Sequence, residues 1–207
     1  MTTFDPATLR LVVVSDGAGD ADRIARVARA AVAGGARTIV IREQALLDRA
    51  LLELTRRLVA DLRPRGALVF VSDRLDVAIA AGADGAQLGF RSLDVAEARE
   101  VAPKPFLLGV SAHAGDDLAA LAAAGADHAF VGPVFDTPSK RSWKAPIGVD
   151  ALRRAVASSP MPVVAIGGIE EVNAASARAA GVAGIAVIRA VFAASDPEAA
   201  ARRLLAT

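Results

Sequence analysis

Eight short runs, apolar at nearly every position and each followed by a stretch of helical periodicity, restrict what this 207-residue chain can fold into. The runs are LVVVS (11–15), TIVIRE (38–43), ALVFVSD (67–73), AQLG (86–89), FLLGVS (106–111), AFVGPV (129–134), PVVAIGG (162–168) and GIAVIR (184–189). A strand that is apolar throughout, rather than at alternate positions, is buried on both faces, as in a parallel sheet covered by helices. Helical patterns at 20–33, 45–63, 74–81, 94–101, 115–124, 148–158, 170–179 and 195–205 supply the cover. Asp20, Asp94, Asp116 and Asp150 stand near helix starts as caps or first-turn acids.

Four helix-to-strand joints repeat one motif: GGAR (34–37), AGADGA (81–86), AGADHAF (124–130) and AGVAGIAV (180–187). Glycine after a helix provides the left-handed residue that turns the chain into the next strand. The repetition is therefore structural and lies at the end of the strands away from the chemistry. Eight units with no linker or low-complexity tract predict a single α/β domain over 1–207, a closed (β/α)8 TIM barrel. An open, doubly wound sheet is the alternative.

Composition narrows the ligand. Lys and Arg number 24 against 23 Asp and Glu, a net charge of +1, so the whole-chain field gives no reason to expect nucleic acid or an anionic membrane. Attraction for anions has to be local. The absence of cysteine excludes disulfides, thiolate catalysis and Cys-ligated metals. The opening MTTFDPATLR lacks the basic-then-apolar plan of a signal peptide, and no apolar run reaches about 18 residues, so a cytoplasmic location is expected. Ala-rich helices offer flat apolar faces, and a homodimer is expected.

In such a barrel the functional residues stand at the C-terminal ends of the strands. Those ends read Ser15 and Asp16; Arg42 and Glu43; Ser72 and Asp73; Gln87; Ser111 and His113; Pro133 and Thr137; Gly167 and Gly168; Ile188 and Arg189. In the last two units the N–H groups of Gly167, Gly168 and the Ile188–Arg189 turn are free to approach an anion, which predicts a phosphate cup and a phosphorylated small molecule as ligand. The segment DTPSKRSWKAP (136–146) carries Lys140, Arg141 and Lys144 around the only Trp, and reads as a lid over an anion or as a solvated loop.

Several residues keep two readings. His113 is the candidate acid/base group, or it hydrogen-bonds the barrel rim. His128, at the start of its strand, is expected to be structural. Arg42 and Glu43 make a ligand contact or a rim ion pair, and Asp73 binds metal, caps the following helix or pairs with Arg74. Arg189 is expected to add a bidentate contact to the phosphate, against filling the cup or pairing with an acid.

Taken in order, IREQ (41–44), FVSDR (70–74), GAQLG (85–89), GVSAH (109–113), VGPVFDTPSK (131–140), VAIGGI (164–169) and GIAVIRA (184–190) resemble the thiamine phosphate synthase/TenI superfamily over nearly the whole chain. Each motif alone is weak, whereas GVSAH, GPVF-T-SK and AIGGI in sequence form a specific set. Resemblance to the synthase implies that a pyrimidine pyrophosphate, held on Mg2+, loses pyrophosphate and is captured by the nitrogen of thiazole phosphate. It further implies Asp73 as a metal ligand, Arg42, Ser111 and Lys140 as pyrophosphate contacts, and Thr137 and Ser139 as hydroxyls of a flexible loop. A leaving pyrophosphate needs positive charge and donors more than a strong acid or base.

Other positions depart from that pattern. Val40 and Gln44 replace a glutamine and a lysine, Ser72 replaces the asparagine before the metal aspartate, and Arg74 stands where an acid is frequent. Ser92, with Arg91 beside it, occupies the place of the second metal aspartate. A hydroxyl does not replace a carboxylate's charge, and a neighbouring guanidinium opposes Mg2+; Asp94 compensates only if the turn shifts by two residues. The TenI branch is the nearer match around Arg91-Ser92-Leu93, although the histidine it carries after the sixth strand is Pro133 here. The favoured expectation is thus a TenI-type isomerase that binds a phosphorylated thiazole, needs no cofactor, and moves a proton with His113 or a bound water. The alternatives are a Mg2+-dependent thiamine phosphate synthase, a transferase, and a non-catalytic phosphate-ester binder or regulator.

Overall fold

The structure, a computed structural model, describes residues 4–113, 115–137 and 145–207. The eight apolar runs form strands β1 (Leu11–Val14), β2 (Thr38–Ile41), β3 (Leu68–Ser72), β4 (Gly85–Leu88), β5 (Leu107–Ala112), β6 (His128–Val131), β7 (Val163–Ile166) and β8 (Gly184–Val187). Each pairs in parallel with the next, and β1 pairs with β8, which closes the (β/α)8 barrel. Around it lie α1 (Ala21–Ala33), α2 (Asp48–Leu62), α3 (Leu75–Ala81), α4 (Val95–Val101), α5 (Leu118–Ala123), α6 (Gly148–Ser158), α7 (Glu171–Arg178), α8 (Arg189–Phe192) and α9 (Pro197–Ala206).

Two local expectations are corrected. The eighth run was expected to stay extended to Arg189, but Ile188 leaves the extended region (φ −113°, ψ −80°) and its carbonyl accepts from the N–H groups of Val191 and Phe192 at 3.2 and 2.9 Å. One extra turn of helix, α8, starts there. Asp117 rather than Asp116 caps α5, accepting from the N–H groups of Ala119 and Ala120 at 3.0 Å each, while Asp116 accepts from the His113 N–H at 2.7 Å. Asp20 caps α1 as expected, accepting from the Arg23 N–H at 2.9 Å.

Successive strand residues point to opposite faces. One face packs on the helices; the other fills the barrel with Val12, Val14, Val40, Phe70, Phe130, Val164 and Ala186. The end away from the mouth is stoppered by a 3-10 turn, Pro6–Leu9, whose Leu9 is fully buried. The stopper sits so close that a β-carbon on Gly184 would lie 1.7 Å from the Leu9 carbonyl oxygen. The repeated joints also act as inferred: Gly35 and Gly125 turn at φ 107° and 109°. The acid of two such joints ties the sheet together, Asp84 accepting from the Val69 N–H at 2.9 Å and Asp127 from the Leu108 N–H at 2.7 Å.

His128 lies inside this filling, 1% exposed, with its ring against Phe4, Phe70 and Phe130. Its Nε2 donates to the Gln87 Oε1 at 3.1 Å, and burial lowers its pKa to about 4, so the ring is neutral at pH 7. The pair fits only because β5 carries Gly109, where a β-carbon would meet the Gln87 oxygen at 2.2 Å and the His128 Nε2 at 2.4 Å.

Candidate active site

The C-terminal rim is shaped first by Glu43, read from sequence as a ligand contact or a rim ion pair with Arg42. Glu43 is 4% exposed and makes no ion pair with Arg42; its two carboxylate oxygens accept from the N–H groups of Gly17 and Gly19 at 3.1 and 2.8 Å. Both glycines have positive φ, 80° and 76°, which aims their amides at one carboxylate. Ser15, fully buried, receives the Arg42 N–H on its Oγ at 2.8 Å. Together these bonds pin the β1–α1 and β2–α2 connections and leave the Arg42 guanidinium exposed, without an ion pair among the described residues.

Beside Arg42 opens a cleft of about 320 Å³ lined by Arg42, Glu43, Gln44, Ser72, Asp73, Arg74 and Arg91 with Leu46 and Leu51. Asp73 is held at φ 63°, the only non-glycine with positive φ among the described residues. Its Oδ1 accepts from the Gly89 N–H at 3.0 Å and from the Ser92 hydroxyl at 2.7 Å, and the Ser72 hydroxyl reaches Oδ2 at 3.3 Å. It neither caps α3 nor pairs with Arg74, whose guanidinium binds Asp76 and Asp48 at 2.7 and 2.5 Å. Those contacts hold the Asp48 and Asp76 carboxyls below the usual carboxylate range.

The residues at the two positions compared with metal ligands are thus adjacent, yet they do not make a metal site on their own. Asp73 offers one carboxylate, Ser92 spends its hydroxyl on it, and Asp94 stands at the N-cap of α4, in a capping box with Glu97. No group of three His, Asp or Glu side chains gathers among the described residues. A divalent cation here would rely on Asp73 and on the oxygens of its ligand.

Across the mouth stand Ser111, half-buried at the end of β5, and His113. The His113 ring stacks on Phe90 with centroids 4.3 Å apart and planes at 18°, its Nδ1 buried without a hydrogen-bond partner among the described residues and Phe90 62% exposed. Phe90 drew no attention in the sequence, because an aromatic in a loop has no periodicity to mark it.

The turn after β7 is left-handed and closely packed at both glycines. Gly167 and Gly168 have φ 97° and 66°, and β-carbons on them would lie 2.6 Å from Pro133 and 2.5 Å from the Asp136 carbonyl. Asn173 pins the turn, its Nδ2 donating to the Gly168 carbonyl at 2.9 Å. The Gly168 N–H meets no acceptor among the described residues. Ile188 is half-buried at the N-cap of α8, but Arg189 behaves otherwise than expected. Its guanidinium is 3.5 Å from the Glu170 carboxylate and lines an outer cleft between α7 and α9. Thr137 ends the described part of the loop after β6; Ser139, Lys140 and the rest of the expected lid at 138–144 lie outside the described residues.

Fold and site define a closed parallel barrel with an arginine-lined cleft and a glycine turn at its mouth, a class suited to phosphorylated small molecules. The family model for thiamine monophosphate synthase matches residues 11–191, and the chain belongs to that family. It is 44% identical over 197 residues to the thiamine-phosphate synthase of Methanoregula boonei, covering 95% of this chain and 91% of the relative. It is 43% identical over 199 residues to a putative thiamine-phosphate synthase of Geobacter sulfurreducens, covering 96% and 93%. The solved thiamine phosphate pyrophosphorylase of Pyrococcus furiosus superposes with a TM-score of 0.85 at 37% identity, covering 96% of this chain and 95% of that one. These relatives carry the synthase name, so the comparisons back the transferase alternative better than the TenI-type isomerase.

Proposed function

We propose that the protein is a thiamine-phosphate synthase. The observation that carries the reading is the cleft at the mouth, where Arg42 and Arg91 stand beside Asp73 without counter-ions among the described residues, together with a glycine turn whose Gly168 N–H meets no acceptor among them. In the reaction the bond between the methylene carbon of the pyrimidine and its diphosphate oxygen breaks, and the electron pair leaves with pyrophosphate. The thiazole nitrogen then gives its lone pair to that carbon. No proton is transferred, which suits a site with Pro133 where the isomerase pattern has histidine, and with a His113 ring packed on Phe90.

The residues divide the work by position. Arg42, with Ser72 and Ser111, faces the diphosphate and stabilises the charge that grows on it as it leaves, at a rim held rigid by Glu43 and Ser15. Gly167, Gly168 and Ile188 hold the phosphate of the thiazole through backbone N–H groups. Lys140 and Ser139 enter only through the family pattern.

The test is to incubate the protein with both precursors and Mg2+ and to measure thiamine phosphate and released pyrophosphate. Stoichiometric appearance of both supports the reading. Their absence at high enzyme concentration overturns it, and metal-independent loss of the thiazole tautomer's absorbance would restore the isomerase.

A further inference from the structure

The charges that line the cleft are settled one by one. Arg74 is neutralised by Asp48 and Asp76. Glu43 is buried on the amides of Gly17 and Gly19, and Asp73 is capped by the Gly89 N–H and the Ser92 hydroxyl. Two guanidiniums, Arg42 and Arg91, are left unmatched: neither makes an ion pair or a side-chain hydrogen bond among the described residues, and both line the same space.

The turn that carries Arg91 closes without a cation. The Ser92 N–H donates to the Gly89 carbonyl at 3.1 Å, the Gly89 N–H reaches the Ser92 Oγ at 2.9 Å, and that hydroxyl donates to Asp73. A second carboxylate at position 92 would face the Asp73 oxygen at similar range and would call for a positive ion between the two. A hydroxyl supplies a proton instead, so the site's positive charge comes from the neighbouring side chain. A guanidinium presents a planar fork of donors that matches phosphate oxygens, and two of them suit the doubled charge of a diphosphate.

We propose that Arg91 is a diphosphate-binding residue and that, with Arg42, it lets the cleft bind diphosphate without a divalent cation. The proposal rests on the synthase reading for its ligand class and assigns Arg91 a specificity role within that site.

The test titrates inorganic pyrophosphate, with orthophosphate as the comparison, into the full-length protein by calorimetry, once in EDTA and once in Mg2+. The wild type is expected to bind pyrophosphate in EDTA, and Arg91→Ala to bind it about tenfold more weakly or worse. Arg91 is exposed and bonded to nothing described, so the variant should fold as the wild type does. Ser92→Asp is expected to lose binding in EDTA and to recover it with Mg2+, because it places a second negative charge beside Asp73. Wild-type binding that appears only with Mg2+, or equal affinities for wild type and Arg91→Ala in EDTA, would overturn the proposal. Arg91-dependent pyrophosphate binding by a protein that forms no thiamine phosphate would sustain it while the synthase reading fell.

Discussion

Acidification should weaken this fold through one buried side chain, His128. The ring is 1% exposed among three phenylalanines, and burial lowers its pKa from 6.5 to about 4. Between those values the unfolded chain binds a proton that the folded chain refuses, so stability falls as pH drops through 6.5 and stops falling below about 4. That gap corresponds to about 3 kcal/mol in full and about 2 kcal/mol by pH 5, a large share of the 5–15 kcal/mol typical of a domain. Asp22, Asp48 and Asp76 are also lowered, by arginines rather than by burial, and their contribution is lost only below about 3.8. Urea unfolding of the wild type and His128→Leu at steps from pH 7.5 to 4.5 isolates the effect. The variant starts less stable, having lost the Gln87 bond and some packing, but its stability should decline less over the window. His113, the other histidine, is common to both proteins and cancels in the difference. Parallel declines for the two proteins would refute the reasoning.

Three further outcomes follow from the rim. Glu43→Gln sets an amide N–H against one of two backbone donors, and should cost about 1–3 kcal/mol in urea unfolding while raising the KM for the diphosphate substrate. Gly168→Ala combines a left-handed backbone with a β-carbon 2.5 Å from the Asp136 carbonyl; it should lower stability by about 1–3 kcal/mol and weaken thiazole phosphate binding in calorimetry. Arg189→Ala removes a half-exposed pair with Glu170, so calorimetry should find affinity for a phosphate monoester unchanged within about twofold and stability altered by less than about 1 kcal/mol.

The barrel was legible because its signal is periodic. Continuous apolar strands, helices capped by residues such as Asp20, and left-handed glycines at the joints each repeat, and repetition survives errors at any one position. The elements that escaped are single events. At 184–190 a β-rich sequence runs straight into α8, and only the non-extended backbone of Ile188 marks the change. Asp116 and Asp117 are equivalent as caps in sequence, and the choice between them depends on where the chain bends after β5.

The site divides along the same line. Glycines at 167 and 168 are demanded by close approach, so residue type alone located the turn. Charged residues carry no such demand, since a carboxylate can serve a guanidinium, a metal or a pair of amides, and three-dimensional neighbours decide which. Glu43 and Arg42 are adjacent in sequence and were open to pairing, yet the carboxylate turns under the β1–α1 connection and the guanidinium stays outside. Ser92 read as the loss of a metal ligand; beside Asp73 it is a donor that satisfies the carboxylate without one. That difference bears on the reaction. Loss of a metal aspartate argued for abandoning pyrophosphate chemistry, whereas a turn closed by Ser92 keeps the exposed Arg91 in the same cleft as Arg42, as the proposed synthase reading requires.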